Sequence, residues 1–166
     1  MAWTIPVTQP TGVLITAAIW NAQVADNAAY LKANELAYNE FTASVSITAT
    51  TEATANTVVT ASAVTFDGST VVLIEAYAPG VSMSAANVSV TSILFQDGVA
   101  IGEIAHHYGP TATFVKELNG KRRLTPAAGA RTYSVRSYVN AGTGTITVGA
   151  GGAGASVPGF IRITKV

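Results

Sequence analysis

From about Ala43 to Val166 the sequence alternates apolar residues with Thr and Ser, is broken repeatedly by Gly, Pro or Asn, and never regains a helical period. Short alternating runs bounded by turn residues describe antiparallel β-structure with one buried face per strand. Val45, Ile47 and Ala49 alternate with Ser44, Ser46 and Thr48. A second run, Asn56 to Phe66, ends at Asp67-Gly68, and a third covers Val71 to Tyr77. Val88 to Phe95 and Val99 to Tyr108 flank Asp97-Gly98, a strong hairpin signal because a type I′ turn requires positive φ at both central residues. The same logic predicts a hairpin at Asn119-Gly120, between Thr113–Leu118 and Lys121–Leu124. Arg131 to Val139 sets Tyr133, Val135 and Val139 on one side; Thr143 to Val148 and Phe160 to Val166 complete the set. Strands at this spacing predict a two-sheet antiparallel β-sandwich, with the jelly roll as the preferred variant. The third run is apolar on both faces, so it should be covered twice, by the domain core and by a second subunit or layer. That makes Val72 and Ile74 candidates for an interface.

The residues before this region read differently. Pro6, Pro10 and Gly12 give residues 1–15 an extended arm. Thr16 is a good N-cap for a helix predicted over residues 16–41. Ala17, Trp20, Val24, Asn27, Leu31, Asn34, Tyr38 and Phe41 then form a seam of period 3.5. Such a helix either lies on its own β domain or on a neighbouring protein, or forms a short parallel coiled coil. In the second case Asn27 and Asn34 would set the register, and three copies could aim their amides at an axial anion or water. The expected organisation is an arm and helix over 1–42, for docking and trimerisation, and a sandwich over 43–166.

Charged residues make up only 11% of the chain, against a usual quarter, and nine basic side chains balance nine acidic ones. A subunit that hides several faces against copies of itself explains the deficit. The balance offers nothing to nucleic acid or to an anionic membrane. The start lacks the basic and apolar regions of a secretory signal, and the uncharged stretch before Arg162 is too rich in glycine for a membrane helix. No cysteine is present, which excludes disulfides and thiolate metal sites.

The residue types that carry chemistry are sparse. His106 and His107 are adjacent, so on a strand they point to opposite faces and cannot share one metal. Glu103 would face away from His106 on a regular strand. Glu75 is the one acid in an apolar run and has no evident partner. There is no Gly-x-Ser-x-Gly elbow and no paired carboxylates, so neither an enzyme nor a cofactor is expected. Lys121, Arg122 and Arg123 read as a solvated hairpin arm or a contact with an acidic patch on a neighbouring protein. Gly149 to Ser156 reads as a surface loop, or as close packing near a three-fold axis. Tyr108, with Gln96 and Asp97, is the one grouping that hints at a carbohydrate site.

Both ends of the chain resemble a known group. Trp3-Thr4-x-Pro6, Gly12 to Ala18, Trp20-Asn21, Asp26-Asn27 and Leu31-Lys32 resemble the N-terminal segment of small tailed-phage virion proteins of the head-fibre, decoration or minor-tail type. Arg131 to Arg136, Gly142 to Thr145, Gly151-Gly152 and Pro158 to Lys165 resemble the closing strands of that group. Ile15 and Ile19 depart conservatively from its common versions. The resemblance implies a homotrimer with a jelly-roll-like domain similar to the tumour-necrosis-factor and C1q architecture, on the exterior of a phage particle. It implies a capsid decoration protein or short head fibre bound to capsid or tail proteins, with Trp3, Ile5, Val7, Lys121, Arg122 and Arg123 as candidate virion contacts. The alternative is a tail-fibre tip that recognises a host-surface glycan.

Overall fold

The computed structural model describes residues 16–21, 24, 34–111 and 114–166, and the chain divides into two compact units, Met1–Glu35 and Leu36–Val166. In the first unit, Ala17–Trp20 forms helix α1, capped by Thr16, whose Oγ1 accepts from the Ile19 N–H at 3.3 Å. Trp20 and Val24 are exposed there. Trp3, Ile5, Val7, Asn27 and Leu31 lie outside the described residues.

Twelve strands follow. They are β1 (Glu35–Phe41), β2 (Val45–Ile47), β3 (Asn56–Thr60), β4 (Val64–Phe66), β5 (Val72–Met83), β6 (Val88–Gln96), β7 (Val99–Gly109), β8 (Val115–Leu124), β9 (Gly129–Arg131), β10 (Tyr133–Val139), β11 (Gly144–Thr147) and β12 (Gly159–Lys165). Eight of them form the sandwich. One sheet runs β1-β12-β5-β8 and the other β3-β10-β6-β7. Taken in chain order, the first of the eight pairs the last, the second the seventh, the third the sixth and the fourth the fifth. This is one long hairpin rolled into two sheets, which is the jelly roll. β2 and β11 extend the first sheet beyond β12, along the second half of β5, and β4 pairs β9 separately.

Alternation places the core. Val72, Ile74, Ala76 and Ala78 of β5 and Ile161 and Ile163 of β12 meet Val90 and Leu94 of β6 and Tyr133, Val135 and Val139 of β10 in one apolar cluster. Val72 is 0% and Ile74 2% exposed, so both belong to the chain's own core and not to an interface. The reading of β5 as apolar on two faces fails because Glu75 interrupts the second face, which Leu73 and Tyr77 share.

The helix predicted to run through Phe41 is corrected as well. Asn34 lies in an exposed turn, and Tyr38 and Phe41 lie on β1, which pairs β12. Three residues apart, Tyr38 and Phe41 would share a helix face, but on a strand they point to opposite sides. Phe41 packs against the core, whereas Tyr38 is exposed. Long-range pairing has overridden local helix propensity there. The sheet therefore begins ahead of residue 43.

The Asp97-Gly98 turn forms as predicted, with φ of 52° and 84°. Asn119-Gly120 does not turn: it lies inside the continuous strand β8. A Cβ on Gly120 would stand 2.8 Å from Cδ1 of Ile104, so the glycine serves close packing of β8 on β7.

Candidate functional site

The outer face of the β1-β12-β5-β8 sheet carries a row of rings. Tyr38, Phe160 and Tyr77 stand on three adjacent strands, with centroids 5.5 Å apart for Tyr38–Phe160 and 5.7 Å for Phe160–Tyr77, at interplanar angles of 32° and 30°. Asn119, the register partner of Tyr77, continues the row on β8. The Tyr38 hydroxyl donates to Glu40 Oε1 at 2.7 Å, which fixes the outer ring.

The adjacent row is charged and closes on itself. Register places Arg162, Glu75 and Lys121 side by side. Arg162 donates to Glu75 Oε2 through Nε at 3.1 Å and Nη2 at 2.6 Å, and Lys121 Nζ stands 2.9 Å from Oε1. Hydrogen bonds from Lys121 and then Arg162 hold the Glu75 carboxyl below its usual range, against the opposing effect of burial. Glu75 thus has the partners its sequence context did not reveal, both supplied by distant strands. A third row sets Thr164, Leu73 and Arg123 together. Glu75, Tyr77, Asn119, Lys121, Phe160 and Arg162 surround a shallow depression of about 280 Å³.

The basic run is divided by strand alternation. Lys121 and Arg123 face outward on this sheet, but Arg122 turns to the inner side, where its Nη1 donates to the Ile101 carbonyl of β7. Arg122 is therefore spent inside the chain and is withdrawn as a virion contact. The carbohydrate hint also dissolves. Gln96 and Asp97 sit at the turn between β6 and β7, whereas Tyr108 lies at the far end of that hairpin, opposite Ser89. Asp97 accepts from the Thr132 N–H at 2.9 Å and from Arg131 Nη1 at 3.2 Å, contacts that lower its pKa, the first more than the second. Tyr108 donates to Asn87 Oδ1 at 2.5 Å.

The two histidines do face opposite ways. His107 is buried and bonds β8, while His106 lies outward beside Thr91, its Nδ1 3.0 Å from the hydroxyl. Glu103 does not face away from His106: a bulge between the Ser92 and Ile93 positions brings its carboxylate to 3.9 Å. Among the described residues no group of three His, Asp or Glu side chains could hold a metal ion. The glycine-rich segment is an exposed loop closed by Gly149 N–H to Val157 O and Gly151 N–H to Ser156 O. Among the described residues no helix is long and apolar enough to cross a membrane.

Sequence reasoning found Tyr38 but on the wrong element, and missed Tyr77, Asn119, Phe160 and Arg162. The available signal was period-two spacing: Phe160 and Arg162 alternate with Ile161 and Ile163, as Glu75 and Tyr77 do with Ile74 and Ala76.

No family model matches the sequence, and no curated protein matches it. Similar solved structures include the C-terminal domain of EclA, a sugar-binding protein, at 14% identity over 77% of this chain and 80% of that one, with a TM-score of 0.34. Another is the C-terminal CBM6 of LamC, a marine laminarinase from Zobellia galactanivorans, at 17% identity over 67% and 76%, with a TM-score of 0.28. The assignment as a jelly roll rests on the chain's own strand pairing.

Proposed function

We propose that this chain is a non-enzymatic structural protein of a bacteriophage particle, a homotrimeric capsid decoration protein or short head fibre on the shell exterior. The observation that carries the reading is the outer face of the β1-β12-β5-β8 sheet. Its centre is the Tyr38–Phe160–Tyr77 row, and its central acid, Glu75, is neutralised by cations on the same face. With Glu75 paired, the face can dry against an identical face without stranding its carboxylate, while Lys121 and Arg123 are exposed cations on the same strand, β8. Aromatic rings at its centre supply the anchors that dominate interface energies. The low charge content of the chain and the likeness of its two ends to phage virion proteins support the same reading. In it, the N-terminal segment docks on the particle and the sandwich domains pack around the three-fold axis.

Two measurements test this. Sedimentation of the full chain at micromolar concentration should give a trimer, and its copy number per particle should be of the order of the major capsid protein's. A single-chain species, or a handful of copies confined to the tail, would overturn the decoration reading.

One observation favours a second reading, the tail-fibre tip that binds a host glycan. The depression sets the Tyr77 and Phe160 rings beside Glu75, Asn119, Lys121 and Arg162, and aromatic faces flanked by polar groups suit sugar rings. A chain that stays monomeric and is retained on a glycan array, with retention lost in Phe160→Ala, would establish that reading instead.

A further inference from the structure

The sandwich has an open side where β7, paired among the described residues only with β6, runs beside β8, paired among them only with β5. Two edge strands from opposite sheets meet there without a ladder between them. Side chains close the gap at two places. Arg122 reaches from β8 to the Ile101 carbonyl near one end, and His107 reaches from β7 to the Glu117 carbonyl near the other, with Nε2 at 2.9 Å.

A carbonyl can only accept, so the proton of neutral His107 is on Nε2 and Nδ1 carries a lone pair. That Nδ1 is buried and has no hydrogen-bond partner among the described residues. A second proton would create a buried N–H with nothing to receive it, on a residue only 5% exposed. Among the described residues the neighbouring ionisable groups are His106 on β7 and Lys116 and Glu117, both exposed, on β8; Val90, its register partner on β6, adds none. Lys116 and His106 both oppose a charge on the ring, although burial is the larger cause of its lowered pKa and the bond to Glu117 acts the other way.

We propose that His107 is an acid-released latch: neutral, its Nε2–H fastens β7 to β8, and a proton on Nδ1 opens that edge of the sandwich. The proton leaves the Nε2–H donor in place; the edge opens because the charged ring, with an unmatched N–H, is driven from its buried site towards water. The sign follows from the direction of the shift. Above about 6.5, the ordinary histidine value, both folded and unfolded chains hold the ring neutral and the latch is fully set. Below it the unfolded or opened chain takes up the proton first. Closure then weakens by up to about tenfold per pH unit until the folded ring also titrates. Carboxylates such as Glu75 act only in a lower window, because their ordinary values lie near 4.

The test is hydrogen exchange and histidine ring NMR on the full chain between pH 7.5 and 5.0. His107 should titrate below 6.5 from the Nε2–H tautomer. Amide protection in β7 and β8 should fall on acidification while the β1–β12 pair keeps its own. His107→Gln can donate to the same carbonyl without titrating and should remove the acid-dependent loss, whereas His106→Gln should keep it. A His107 ring that titrates at or above 6.5, or a protection loss spread evenly over both sheets, would overturn the proposal. Those wild-type readings decide the matter even where His107→Gln fails to fold.

Discussion

Replacing Tyr77 with alanine should separate folding from association on the ring-bearing face. Its side chain points away from the core, between Phe160 on one side and Asn119 on the other. Within the domain the substitution removes one ring pair, at a centroid distance of 5.7 Å, which costs about 0.5–1.5 kcal/mol. For a domain of this size the melting temperature should fall by only a few degrees. In the proposed trimer the effect between subunits is multiplied. A central tyrosine anchor contributes about 2 kcal/mol, and three copies lose it together, so the trimer should lose roughly 6 kcal/mol. At 1.4 kcal/mol per decade this lowers the formation constant about ten-thousandfold. Sedimentation velocity over a micromolar dilution series, beside a melting curve on the same sample, reads both quantities. Trimer and monomer populations identical to wild type, in a variant that melts normally, would refute the placement of the interface on this face.

Three further outcomes test the fold itself. Tyr133 is fully buried and donates to Gln96 Oε1 at 3.0 Å, so Tyr133→Phe should cost about 1 kcal/mol in denaturant unfolding. A Cβ on Gly144 would stand 2.6 Å from Cγ2 of Val90 and 3.2 Å from Cγ1 of Val139, and Gly144→Ala should destabilise by about 1–3 kcal/mol through overpacking, visible as a lower denaturant midpoint. Because its folded pKa is depressed, Glu75 contributes stability that is present above its ordinary value and lost as pH falls through the folded one. The melting temperature of Glu75→Gln should therefore lie a few degrees below wild type at pH 7, consistent with about 1 kcal/mol for partly exposed pairs, and converge on it only as pH falls through the lowered folded value.

The sandwich was legible because its signals are local. Alternation in Val45–Ile47, Tyr133–Val139 and Gly159–Lys165 and the turn at Asp97-Gly98 each depend on neighbouring residues, and each appears where the pattern puts it. The site was largely illegible because its parts meet only through register. Nothing near Glu75 in sequence announces Arg162 or Lys121, and the three become neighbours only once β12 and β8 flank β5. Two misreadings share a cause. The 3.5-residue spacing that ends at Tyr38 and Phe41 and the turn chemistry of Asn119-Gly120 are both genuine local preferences. Pairing with β12 decides the first, and packing against Ile104 decides the second.

The nested wiring also governs how the molecule comes together. The β6–β7 hairpin closes a loop of two residues, while β1 must find β12 across almost the entire domain. Chain entropy makes the innermost pair the least costly to form, and each pair formed shortens the search for the one outside it. Assembly is then expected to proceed outward from Asp97-Gly98 like a zip, and slowly, as non-local β topologies do. Damage at that turn should slow folding, whereas loosening β1 should chiefly hasten unfolding.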